Sequence, residues 1–405
     1  MMRDVAALVL AGGRVGDFGV LTTNRPKGAL TFAGGYRVID FGLSALRRAG
    51  IERVGIIIQY LPASLIEHVG VGRPWDLDGP GRSLKVMPPF VGVDTTEWYK
   101  GTADALLRNL NFLEDLSATH VVVMSGEQVY DLDFAAVMDA HTSRGADVTV
   151  VTKQIPDHKR SRRFGYVTVD DNGRVKAYHE KPPQPQGDLV SAGIFVFRTD
   201  TLVGLLRQNA DAGAGGHNLA KDVLQPHVAA LNAYEHRLDG YWEYMDGTDE
   251  YHHVQMQLLR DGAMDELRGW GTLTNMEYRD QGCAPPARFG PAARAVSTLA
   301  CPGSRVDGAS EESILSPGVV VEAGATVRRS ILMHDARVEA GAVLEGVIAD
   351  KDTVFGPGCR VGVQGGPLTV IGKGARIGPG VTIAAGAEVR PGRHLHDQPA
   401  ADAEV

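Results

Sequence analysis

The sequence predicts an α/β protein in two parts: a doubly wound α/β domain, then a C-terminal left-handed parallel β-helix. Three observations carry this reading. Short apolar runs alternate with amphipathic segments through the first two-thirds of the 405 residues. Past about residue 290, glycine becomes frequent and helical spacing disappears. Over that last stretch, aliphatic side chains recur every six residues.

The strands come first. VAALVL (5–10), VGIII (54–58), HVVVMS (120–125), VTVVT (148–152) and AGIFVF (192–197) are rich in β-branched residues and lack polar alternation. Such runs suit strands covered on both faces. Segments 39–50, 103–115, 134–145 and 223–232 carry apolar residues at helical spacing, the last with Pro226 near its start. Repeated strand–helix alternation is the pattern of a doubly wound sheet. Ligands of such sheets sit at the carboxyl ends of strands, where loops lead into helices. The Gly12-Gly13 loop follows the first strand and holds that place.

Farther on, Ile371, Ile377, Ile383 and Val389 are six apart, and Gly374, Gly380 and Gly386 each lie three after one of the first three. Val321 with Val327, Val338 with Leu344 and, less cleanly, Val354 with Arg360 share the spacing. One inward aliphatic residue per short strand is the period of a left-handed β-helix, whose coils bury one another. The expected partition is a domain over 1–275, a linker over 276–300, the β-helix over 301–393 and a frayed tail over 394–405.

With 43% hydrophobic and 22% charged residues, the chain reads as a soluble globular protein able to bury a large core. A formal net charge of -8 argues against nucleic-acid and anionic-membrane partners. Cys283, Cys301 and Cys359 are widely spaced and odd in number. A reducing, cytoplasmic compartment is expected rather than a disulfide or zinc framework. The apolar run Val5 to Leu10 is too short for a secretory signal, and no run is long enough to span a membrane.

Leu10-Ala11-Gly12-Gly13-Arg14 lets consecutive N–H groups approach phosphate oxygens, or it is a tight turn. It is neither G-x-x-x-x-G-K-[ST] nor G-x-G-x-x-G. Lys27 either reaches a phosphate as a mobile cation or is solvated. Glu180-Lys181, before Pro182, offers a cation to phosphate and a carboxylate to sugar hydroxyls, or is an exposed charge pair.

These motifs gain specificity as a series. AGGR (11–14), RPKGAL (25–30), YRVIDFGLS (36–44), Gln59-Tyr60, WYKGTADA (98–105), SGEQVYDLD (125–133), FGYVTVDDNGRV (164–175), YHEKP (178–182) and SAGIFVF (191–197) follow one another. In order and spacing they resemble the ADP-glucose pyrophosphorylases, also called glucose-1-phosphate adenylyltransferases, among the sugar-phosphate nucleotidyltransferases. The resemblance spans essentially the whole chain. It implies a Rossmann-like, GT-A-like nucleotidyltransferase domain before the β-helix. It also implies adenylate transfer from ATP to glucose 1-phosphate with Mg²⁺, giving ADP-glucose and pyrophosphate for α-glucan synthesis.

Carried over motif by motif, the resemblance implies that Tyr99, Gly165, Glu180, Lys181 and Ser191 bind the sugar phosphate. The nucleotide side uses Leu10, Ala11, Gly12, Gly13, Gly101 and Asp104, with Arg14 and Lys27 as catalytic cations. Glu127 and Asp246 stand where the metal carboxylates belong. Gln59 and Trp98 match a regulatory loop, with a buried structural Trp98 as the equal alternative. Anionic small-molecule effectors are implied, with Arg25 and Arg37 as candidates, and so is a homotetramer or a hetero-oligomer with a catalytic paralogue.

Some stretches depart from the family pattern. G-G-x-G-T-R-L becomes Gly12 to Phe18, with Val15 for a glycine and Asp17 for an arginine. At ~5 Å and an effective dielectric near 20, each unit-charge pair is worth roughly 3 kcal/mol before screening, so this reversal weighs on a triphosphate. G-D-H-I-Y becomes Gly126-Glu127-Gln128-Val129-Tyr130, and Y-W-x-D-V/I-G-T becomes the longer Tyr241 to Thr248. Beside an active adenylyltransferase, the residues allow a regulatory subunit that binds sugar phosphate or effector. They also allow transfer to another sugar phosphate or nucleotide.

Overall fold

A computed structural model describes residues 2, 4–13, 16–90, 98–212 and 216–396. The chain forms two compact units, each drawn from several segments. The first comprises Met1–Gly13, Phe41–Pro62 and Val69–Glu243; the second comprises Arg14–Asp40, Ala63–His68 and Tyr244–Val405.

The first unit is built on a nine-stranded sheet. β1 (Val5–Leu10) is flanked in parallel by β2 (Arg53–Ile57), with β3 (Ser83–Met87) beyond it. On its other side lies β4 (His120–Ser125), also parallel. The sheet continues through β5 (Val148–Gln154), the hairpin of β6 (Gly165–Val169) and β7 (Val175–Glu180), β8 (Leu189–Arg198) and β9 (Ala233–Arg237). β8 runs antiparallel to both β4 and β5, so the sheet is mixed rather than wholly parallel. The central strands β1 and β4 are buried nearly end to end, as continuous apolar runs require of strands covered on both faces.

Helices α1 (Val38–Arg48), α2 (Thr102–Arg108), α3 (Leu110–Leu116), α4 (Phe134–Ser143) and α5 (Thr199–Asp211) supply the cover. Leu106, Leu113 and Leu206 pack with Leu8, Val121, Val123 and Phe195 in one core. Two expectations change. The helix read over 103–115 breaks at Asn109, whose side-chain amide donates to the Ala105 carbonyl (2.7 Å) instead of leaving the turn regular. The segment 223–232 is not α-helical: Leu219–Leu224 forms a π-type turn and 225–230 are turns. Pro226 has no N–H with which to continue a helix.

The second unit carries the β-helix. Short parallel strands run from Arg288–Phe289 to His394–Leu395, seven of them stacked in chain order in one sheet. Val306, Val321, Val338, Phe355 and Ile377 form its inward ladder. Ile371 pairs with Val389 and Ile377 with Leu395, which places three six-residue repeats in one coil. The spacing read at Val354 and Arg360 is off by one residue. Phe355 and Val361 face inward, because the coil that pairs Val338 with Phe355 is one residue short of three repeats. Gly374, Gly380 and Gly386 turn the chain between faces at φ of 69°, 68° and 81°, a region that suits glycine. Arg288–Phe289 pairs with Arg305–Val306, inside the stretch read as a linker. Of the stretch read as a tail, 397–405 lies outside the described residues.

All three cysteines are free thiols, with Cys301 and Cys359 buried. Among the described residues, no helix is long and apolar enough to cross a membrane.

Candidate active site

The carboxyl ends of β1, β2, β3 and β4 fall on one edge of the sheet, since Leu10 pairs with both Ile57 and Ser125. The Gly126 N–H donates to the Leu10 carbonyl (2.9 Å), and the Ala11 N–H to Ile57 (3.0 Å). Gly12 must be glycine for lack of room: a Cβ there would lie 2.4 Å from the Gln59 nitrogen and 2.8 Å from the Ile58 Cα. A Cβ on Gly13 would lie 3.8 Å from Glu127 Oε1. The Gln59 amide donates to the Tyr99 carbonyl (3.3 Å), while its buried Oε1 finds no partner. The structure thus brings Gly12, Gly13, Gln59, Tyr99 and Glu127 to one edge.

The sugar-side residues gather at the start of β8. Because β8 is antiparallel to β4, Ser191 lies toward the edge that carries Ser125. Across the β6–β7 hairpin Glu180 pairs with Gly165, and a Cβ on Gly165 would lie 2.8 Å from Glu180 Oε2. The Tyr178 hydroxyl donates to that oxygen (3.2 Å) and also engages Ser191. Burial, above all, raises the Glu180 carboxyl above its ordinary pKa, while Lys181 and Tyr178 pull it back. Lys181 follows at φ 48°, a left-handed conformation rare for a lysine; its ammonium is largely exposed, 4.0 Å from Glu180 Oε1. The other reading, an exposed charge pair, therefore describes Lys181 but not Glu180.

Tyr99 is buried, and its hydroxyl is already engaged: it donates to the Pro88 carbonyl (2.9 Å) and accepts from Asn109 (3.0 Å). Gly101 has extended backbone, but a Cβ would meet the His217 carbonyl oxygen at 2.4 Å. Asp104 accepts from the Lys100 N–H (2.8 Å) and pairs with Arg108 (3.1 Å) at the start of α2. Trp98 is 67% exposed, which overturns the buried alternative. Arg14 lies outside the described residues.

Sequence reasoning missed Gln128 as a support. It is buried and accepts from the Trp242 indole N–H (2.7 Å), while the paired strands Val129–Tyr130 and Trp242–Glu243 run beside it. Nothing in the chain links residues 114 positions apart before folding. Tyr178 was more legible: two positions before Glu180 on a strand, it shares that residue's face.

In the second unit Lys27 is neither mobile nor solvated. It is 1% exposed, donates to the Met245 carbonyl (2.5 Å) and stands over the Tyr244 ring, 4.1 Å from its centroid. Arg25 and Arg37, read as effector candidates, are buried as well. Arg25 forms an ion pair with Asp350 (2.5 Å), while Arg37 donates to Thr31 and stacks on the Tyr278 ring (4.8 Å). Asp17 and Asp246 belong to this unit too; the Asp17 carbonyl oxygen sits 3.2 Å from where a Cβ on Gly247 would be.

A sheet that collects a glycine loop, a carboxylate and a Glu-Lys pair on one edge, followed in the chain by a hexapeptide β-helix, defines a nucleotidyltransferase. The family described as Nucleotidyl transferase matches residues 6–261, and the GlmU-like, C-terminal hexapeptide family matches 285–366. The chain belongs to the glucose-1-phosphate adenylyltransferase family. It is 30% identical over 402 residues to the enzyme of that name from Fervidobacterium nodosum, covering 94% of this chain and 95% of the relative. It is 37% identical over 332 residues to that of Thermotoga neapolitana, covering 81% and 77%. With that of Desulfitobacterium hafniense it shares 30% over 395 residues, covering 96% and 98%.

Nucleotidyltransferases of this family generally use a divalent metal ion. Among the described residues, no group of three or more His, Cys, Asp or Glu side chains encloses an ion. One or two carboxylates, with water and substrate phosphates completing the shell, suit a hard cation such as Mg²⁺. The Glu127 carboxylate, on the edge that carries the glycine loop, fits that chemistry.

Proposed function

We propose that this protein transfers the adenylate of ATP to glucose 1-phosphate, yielding ADP-glucose and pyrophosphate. One observation carries the reading: in a chain related over nearly its full length to such enzymes, the glycine loop, Glu127 and the Glu180–Ser191 cluster occupy one edge of the sheet. The sugar phosphate oxygen attacks the α-phosphorus in line, and positioning with charge neutralisation supplies the rate. In this proposal Leu10, Ala11, Gly12 and Gly13, with Gly101 and Asp104, hold the nucleotide. Arg14 and Lys27 meet its phosphates. Glu127 and Asp246 hold Mg²⁺, which when bound neutralises phosphate charge. Tyr99 and Gly165 shape the sugar pocket, Glu180 and Ser191 take sugar hydroxyls, and Lys181 takes the phosphate. Gln59 and Trp98 form the regulatory loop.

The protein works in the cytoplasm as a homotetramer or beside a catalytic paralogue, under anionic effectors. Arg25 Nη1 and Arg37 Nη2 are buried without partners, and an anion would satisfy both. Assay of the full chain with ATP, glucose 1-phosphate and Mg²⁺ tests the reading. Pyrophosphate release at background level, with or without effectors, would reject it in favour of the regulatory subunit.

Two expected results follow from the sugar side. Lys181→Ala removes a charge-assisted contact, so the KM for glucose 1-phosphate rises by about 10- to 100-fold while that for ATP holds. Steady-state kinetics checks both. The raised pKa of Glu180 means that the carboxyl protonates, and stops accepting, at a higher pH than an ordinary glutamate does. Glucose 1-phosphate binding therefore weakens as pH falls through that window and recovers above it. A KM–pH series compared with Glu180→Gln, which lacks this limb, checks the assignment.

A further inference from the structure

A lysine that is 1% exposed needs its charge compensated. Lys27 finds part of that compensation in two consecutive residues. The Met245 carbonyl accepts from Nζ at 2.5 Å, and the Tyr244 ring lies 4.1 Å from it, face to cation. The Phe18 ring adds a second, more distant face at 5.3 Å. Both a carbonyl dipole and a ring face attract a cation. A lysine stem is otherwise flexible, so a cradle of this kind decides where its charge points.

We propose that Tyr244 is a positioning residue: its ring, with the Met245 carbonyl, fixes the Lys27 ammonium in the orientation that meets the nucleotide phosphates. The proposal rests on the role assigned to Lys27 above. Orientation set before binding need not be established in the transition state, so it counts toward rate. The stretch from Tyr241 to Thr248, one residue longer than the motif it resembles, is where the cradle arises.

The test uses the full chain and the variants Tyr244→Leu, Tyr244→Phe and Lys27→Ala, with melting temperatures alongside. Tyr244→Leu is expected to lower kcat/KM for ATP by about tenfold, the scale of a desolvated cation–π contact. The KM for glucose 1-phosphate should not move, and Tyr244→Phe, which keeps the ring, should stay within about twofold of the parent. In the Lys27→Ala background, Tyr244→Leu should lower the residual rate no further. A parental or raised kcat/KM in Tyr244→Leu, an equal loss in Tyr244→Phe, or equal movement of both substrates' KM values overturns the proposal. If Lys27→Ala itself keeps parental kcat/KM, the role given to the lysine falls. If Lys27→Ala is impaired while Tyr244→Leu is not, only the positioning role of Tyr244 falls.

Discussion

Asp350→Ala is expected to lower the stability of the second unit by about 3–5 kcal/mol, the cost of leaving a buried charge without its partner. Arg25 Nη2 and Asp350 Oδ2 are 2.5 Å apart, with side chains 3% and 1% exposed. Removing the carboxylate strands a guanidinium that water cannot reach, and Arg25 Nη1 already lacks a partner. Replacing both partners, Arg25→Met with Asp350→Leu, should recover much of the loss, because the desolvation cost disappears with the charges. Calorimetric melting of the full chain checks the pair. A loss below about 1 kcal/mol for Asp350→Ala, the scale of an exposed ion pair, would mean that water reaches this site. The consequence for activity is local: Lys27 stands two residues beyond Arg25, so a slack segment would disturb its ammonium as well.

Gly12→Ala is expected to lower kcat/KM by about a hundredfold, the penalty for displacing a reacting group by roughly 1 Å. The new methyl would meet backbone atoms, Gln59 N at 2.4 Å and Ile58 Cα at 2.8 Å, which cannot swing aside as a side chain does. The carboxyl end of β1 must move, and with it the loop assigned to the nucleotide. Gly16→Ala is the control, since nothing lies within 4 Å of a Cβ there. Kinetics of the two variants separates a steric demand from a general intolerance of side chains. Equal rates in both would remove the reason given for Gly12.

Local chemistry made much of the first unit legible. β4 (His120–Ser125) matches its apolar run end to end, because four consecutive buried residues, Val121 to Met124, leave no other periodicity to fit. The hairpin of β6 and β7 escaped notice. Its burial alternates weakly, and Glu180 faces Gly165 only across the folded hairpin. The Glu180-Lys181 motif offers two adjacent charges, yet only folding separates a mostly buried carboxyl from an exposed ammonium on the next residue. Trp98 and Lys27 ran the other way: the tryptophan is exposed and the lysine buried, against the average habit of each.

By itself the sequence determined the elements that local periodicity can encode: the central strands, the helices Val38–Arg48 and Phe134–Ser143, and the six-residue ladder from Ile371 to Val389. Tertiary structure alone decided which distant residues compensate one another. Arg25 meets Asp350 across 325 positions and Lys27 meets Met245 across 218, while residues 16–40 join the β-helix unit rather than the sheet they follow. The physical reason is that burial and charge compensation belong to pairs of groups brought together in space. A residue's own neighbours in the chain carry no record of the partner it will meet.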